Sequence, residues 1–208
     1  MANRVVPTAA ALMLWLIPAV YSGQGSGGSR LAAALDGLNV DQRWIAGAHV
    51  NWRTGEPDGK EVSESGVHSH CSAFVAAASE RLGVYILRPP DHSQMFLANA
   101  QSDWLAEQGE AHGWTAVNTF EEAQREANDG MLVVAVYKTR NAESAGHIAI
   151  VRPGNKRVSL LREEGPAVIQ AGQENYVSTS LRNGFRHHPN AWRRHEVRLY
   201  RHLVNWPP

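Results

Sequence analysis

Thiol chemistry is almost absent from this chain of 208 residues, which has one cysteine, Cys71. A lone cysteine forms no intramolecular disulfide, so packing alone must stabilise the fold. No second cysteine and no His-Glu-x-x-His run is present, which removes the usual zinc signatures. Net charge is missing too: Lys plus Arg and Asp plus Glu are both 20. That balance argues against a nucleic-acid partner, which needs a basic face. Arg193, Arg194, Arg198 and Arg201 do gather near the C-terminus. They are interspersed with Val197, Leu199 and Leu203, as on the solvated face of a strand. No internal repeat is visible. A chain of this length is expected to form one domain with a sizeable core.

Behind Arg4, residues 5–20 carry no charge and include an Ala-Ala-Ala-Leu-Met-Leu-Trp-Leu-Ile run. Residues 1–22 read as a signal peptide, or as an uncleaved anchor, though the run is short for a span of about 20 apolar residues. The Gly- and Ser-rich residues 23–30 read as a flexible linker, and residues 31–208 as a single domain. The expectation is an exported protein, periplasmic or secreted, that meets a membrane only through its N-terminal segment. Exported proteins usually carry cysteines in pairs, so an unpaired thiol suggests reactivity or intermolecular pairing.

Residues 31–38 form a short helical candidate. Phe74, Val75, Ala78 and Leu82 keep helical spacing behind Cys71, and Gly83 suits a left-handed cap. Ser93 reads as the cap of a second helix running to Gly109, and Thr119 with Glu122 as the capping box of a third that stops at 128–130. Strands follow at 131–137, 147–152, 167–171 and 196–202. Helices first and consecutive strands later predict an α+β fold with an antiparallel sheet and short connections.

Cys71 thus stands at a helix start, after a polar approach over residues 63–70. Unpaired amides and the helix dipole favour an anion there, and such a setting can lower a thiol pKa. His147 begins an apolar strand, with its side chain on the face of Ala149 and Val151. Gln170 closes another apolar strand, from which its amide can orient an imidazole. A nucleophilic thiol, a base and an orienting amide are the minimum set for a cysteine hydrolase. The plainer alternatives are an inert buried cysteine, a satisfied core histidine and an interstrand glutamine.

The order of these motifs resembles the papain-like NlpC-type cell-wall peptidases and CHAP amidohydrolases. The resemblance rests on His70-Cys71-Ser72-Ala73-Phe74-Val75, Gly146-His147-Ile148-Ala149-Ile150 and Ile169-Gln170-Ala171, over residues 65–175. It departs at His70, where Asp is common, and at Gln170, where His or Asn is more usual. The resemblance implies a papain-like fold, with N-terminal helices packed on a small antiparallel sheet. It also implies attack by Cys71 on a peptide amide, as in peptidoglycan, with His147 as base, Gln170 as orienter and no cofactor. A thiol acyltransferase on the same scaffold and a non-catalytic wall-peptide-binding module are the alternatives.

Other residues are expected around the cleft. Trp44 and Trp52 flank the loop leading to the cysteine and are expected to line a substrate groove. His68 and His70 are placed at the cleft mouth, and Ser72 with the substrate-binding set. His68, His70 and Cys71 also suggest a zinc site, completed by His187, His188 or His195. Ligands packed so closely at a helix start diverge, so no metal is expected. Residues 186–189 read as an exposed turn.

Overall fold

The computed structural model describes residues 26–61, 68–141 and 143–207. The expected leader (1–22), linker residues 23–25 and approach residues 63–67 lie outside the described residues. Among the described residues, no helix is long and apolar enough to cross a membrane.

Chain order begins with α1 (Gly27–Asp36), capped by the Ser26 hydroxyl, which accepts from the Ser29 amide at 3.3 Å. This corrects the linker expected over 23–30, because Gly27 and Gly28 are helical. Composition suggested flexibility, but these glycines serve close approach. A Cβ on Gly28 would meet the Asn128 carbonyl oxygen at 2.4 Å, and one on Gly27 that of Asp129 at 2.4 Å.

The central helix is α2 (Cys71–Arg81), with residues 71–79 all buried. It was expected to be amphipathic; its small residues, Ala73, Ala76, Ala77 and Ala78, instead let neighbours cover it nearly all round. Buried Ser79 is satisfied by donating to the Val75 carbonyl at 2.8 Å. Gly83, at φ +70°, turns the chain while its amide donates to the Glu80 carbonyl and that of Val84 to Ser79. The next helix, α3 (Leu97–Glu107), starts later than Ser93. Its N-cap is Phe96 at φ 52°, and Met95 is exposed, so Ser93 is not the cap of this helix. Thr119 does cap α4 (Phe120–Asn128), accepting from the Glu122 amide at 3.0 Å.

Six strands form one antiparallel sheet: β1 (Thr115–Val117), β2 (Leu132–Tyr137), β3 (His147–Val151), β4 (Ala167–Gln170), β5 (Tyr176–Ser180) and β6 (Arg198–His202). Their spatial order is β1-β6-β2-β3-β4-β5. The fold is therefore mixed α+β. Every residue of β2 and β3 is buried, as their β-branched composition demands of central strands. The expected short connections hold only in part. Helix α5 (Val158–Glu164) lies between β3 and β4, while α6 (Leu181–Gly184) and α7 (Pro189–Arg193) lie between β5 and β6. Helix α2 packs on β3 and β4, which brings its N-terminal turn to the start of β3.

Candidate active site

Sheet register brings His147 and Gln170 together. Val151 stands opposite Val168, and Ile150 opposite Ile169, on antiparallel β3 and β4. Continuing that register sets Gln170 against Ala149, two residues from His147 and on the same face. The His147 Nε2 lies 3.0 Å from Gln170 Oε1. The Gln170 amide nitrogen faces the Glu174 carbonyl at 3.5 Å, an acceptor only. Gln170 therefore turns its oxygen to His147, and Nε2 must carry the ring proton. Nδ1 is left with its lone pair, the state a general base needs.

Gln170 has room because Gly184 has no side chain. A Cβ there would meet Gln170 Oε1 at 2.5 Å. Two rings confine His147. Phe185 meets it edge-on, centroids 4.7 Å apart at 77°, and His188 stacks on it at 5.6 Å and 18°. His188 also lies 5.6 Å from the Tyr137 ring, and Tyr137 stands opposite His147 across β2 and β3.

Cys71 opens α2 beside the head of β3. The amides of Ile148, Ser72 and Cys71, and the Ser72 hydroxyl, are directed at its sulfur. These donors favour a thiolate, but burial outweighs them and pushes the thiol pKa up. The lowered pKa expected from the helix start is therefore corrected. Cys71, His147 and Gln170 are only 3%, 5% and 3% exposed. Burial takes the His147 pKa down to about 4, against the opposing pull of the Gln170 hydrogen bond. His188 also falls to about 4, through burial first and then the charges of His147 and His187. The resting pair is a neutral thiol and a neutral imidazole.

That state has a measurable consequence. In the folded protein His147 stays neutral down to about pH 4, whereas in the unfolded chain it protonates near 6.5. Between those values the unfolded state binds more protons, so stability falls as pH falls. From pH 6.5 to 5, where ordinary carboxylates remain ionised, His147 alone should remove about 2 kcal/mol. Urea unfolding at the two pH values should show this loss, and His147→Gln should shrink it. A loss of equal size in His147→Gln would contradict the assignment.

The other expected residues divide. Ser72 joins the site through its hydroxyl and amide. His70 is buried, not at a cleft mouth: its Nε2 pairs with the Ala48 carbonyl at 2.8 Å and holds that loop to the start of α2. His68 is half-buried, and its carbonyl accepts from the Gly47 amide at 3.0 Å. Trp44 lines no groove, being 1% exposed, edge-on to Phe74 and covered by Gly55. Trp52 stacks with Arg53 and Arg88, which both pair with Glu80. Glu80 is nine residues from Cys71, about 13 Å along the helix, so Trp52 marks the wrong end of α2. His188 was read as part of an exposed turn, yet it is half-buried against His147. Its sequence signal was slight, a histidine before Pro189 with no periodic partner. Phe185, Gly184 and the Ile148 amide likewise became visible only through the fold.

Compared with known proteins, the chain matches no family model and no curated sequence.

Geometry and chemistry must therefore carry the functional argument. Among the described residues, no group of three or more His, Cys, Asp or Glu side chains converges on a metal-sized site. Two open surface cavities among the described residues are not lined by Cys71, His147 or Gln170. One of about 740 Å³ is walled by Tyr85, Trp104 and His112, and one of about 600 Å³ by Phe120 and Trp192.

Proposed function

We propose that this protein is an exported cysteine hydrolase of the papain-like NlpC type, acting on a peptide amide in peptidoglycan. The observation that carries the reading is the His147–Gln170 hydrogen bond, which leaves Nδ1 unprotonated at the strand head where Cys71 packs. Cys71 Sγ attacks the amide carbonyl carbon as its proton passes to His147 Nδ1. The amides of Cys71, Ser72 and Ile148 supply donors for the negative charge that develops on the carbonyl oxygen. The tetrahedral intermediate collapses, the C–N bond breaks, and His147 gives its proton to the leaving amine. Water then attacks the thioester with His147 again as base, which releases the acid and restores the thiol. Gln170 keeps the imidazole in the productive tautomer throughout. An acceptor other than water at the second step would make the same site an acyltransferase.

Neutral resting groups suit this sequence, because proton transfer accompanies attack rather than preceding it. The low exposure of all three residues means that substrate binding must open the site. A rival reading, a wall-peptide-binding module with an inert thiol, draws on that same burial of Cys71. Mass spectrometry of peptidoglycan after incubation with the purified protein separates the two. New fragments, absent with Cys71→Ala, support the hydrolase. Intact peptidoglycan that is nonetheless retained by the protein supports the binding module.

Turnover should survive dialysis against EDTA and stop after prolonged thiol alkylation. The argument is local: the His70 imidazole is already engaged by Ala48, and hydrogen-bond donors surround the Cys71 sulfur. Loss of activity on chelation, restored by stoichiometric zinc, would make Cys71 a ligand and not the nucleophile.

A further inference from the structure

The segment from Leu181 to His188 touches the His147–Gln170 pair three times. Gly184 leaves space for the Gln170 oxygen, Phe185 meets the His147 ring edge-on, and His188 stacks near-parallel to that ring. The segment is itself held firmly. Leu181 and Phe185 are fully buried, and the His188 amide donates to the Phe185 carbonyl at 2.8 Å. Glu174, in the β4–β5 connection, pairs with Arg186 at 2.5 Å and His187 at 2.9 Å. Arg186 also reaches the Tyr176 hydroxyl. The ion pairs thus tie this segment to the loop whose Glu174 carbonyl receives the Gln170 amide.

We propose that His188 is a positioning residue for the catalytic base: its stacked ring, with Phe185, holds the His147 imidazole in plane and shields it from water. The inference rests on the hydrolase reading of Cys71 and His147. The hydrogen bond that His147 Nε2 donates to Gln170 fixes one point of the ring but leaves rotation about that axis free. The near-parallel His188 ring, its centroid 5.6 Å away at 18°, opposes that rotation. The shield also sets the acidity of His147, since burial is the main cause of its low pKa. Other titratable groups near the two rings are Cys71 on α2, Tyr137 at the end of β2, and His187 with its partners Glu174 and Arg186.

Two variants test the role. His188→Ala removes the ring and admits water, so the acid limb of kcat/KM should rise from about pH 4 toward 6.5. Its kcat should fall about 10-fold, with KM changed less. His188→Phe keeps a flat ring without a titratable nitrogen, and should keep both the limb near 4 and most of kcat. The His147 ring protons, followed by NMR titration, should report the same shift in His188→Ala without any substrate. The NMR result separates this proposal from the hydrolase reading, because it stands even if no turnover is found. Unchanged His147 titration in His188→Ala would overturn the proposal. So would a His188→Phe protein that is folded yet as impaired as His188→Ala, since His188 would then act through its nitrogen atoms.

Discussion

Cys71→Ala is expected to yield a folded protein with no measurable turnover. The sulfur sits 3% exposed among buried neighbours, so its removal deletes one atom from the core and nothing from the surface. That costs about 1 kcal/mol, or a drop of about 3 °C in Tm for a domain of this size. The catalytic loss is of another order. Without the nucleophile no thioester forms, and kcat should fall at least ~10³-fold, equivalent to about 4 kcal/mol in the barrier. Amine release from a peptidoglycan-derived peptide, measured beside a thermal melt, checks both halves. A Cys71→Ala protein with a near-normal melt and activity within about 10-fold of the parent would end the hydrolase reading.

The second large effect is a ranking. His147→Ala should cost nearly as much as Cys71→Ala, because the buried thiol is neutral and the groups that act on its sulfur cannot take its proton. Its acceptors and donors are amides and a hydroxyl, none of them a base near neutral pH. Gln170→Ala should cost less, about 10- to 100-fold in kcat, because it frees the His147 tautomer without removing the base. Single-turnover kinetics on the three variants read the order. Equal loss in Gln170→Ala and His147→Ala would assign Gln170 a further task at the oxyanion. Full activity in His147→Ala would place the base elsewhere, with His188, whose ring is nearest in the stack, the first to examine.

Strands were legible where their burial was uniform. The runs that became β2 and β3 are β-branched and apolar without interruption, and their limits differ from expectation by one residue at most. Edge strands were not legible. Tyr176–Ser180 is mostly polar and partly exposed, so β5 offers no alternation, and Thr115–Val117 is too short to show one. Pairing with β4 and β6, a long-range event, makes strands of them. The α4 start was readable from its capping box at Thr119, whereas the α3 start at Phe96 has no capping side chain and the Ser26 cap of α1 was hidden in a Gly- and Ser-rich run. The site divided in a similar way. Cys71, His147 and Gln170 each head or close a regular element, and such positions show in one dimension. Aromatic rings carry no such mark. Nothing local distinguishes Trp44, a core anchor, from a groove wall, or His188, stacked on His147, from a surface histidine.

Burial of the thiol bears on how long the protein survives as well as on how it reacts. Oxidation of cysteine by peroxide follows thiolate character and access, and Cys71 is low in both. A chain with one cysteine has no second thiol of its own to resolve a sulfenic acid, so an oxidised Cys71 would depend on an external thiol for its recovery. Packing around the α2 start therefore acts as a preservative. It limits the access of oxidants to the sulfur without any call on a reductant.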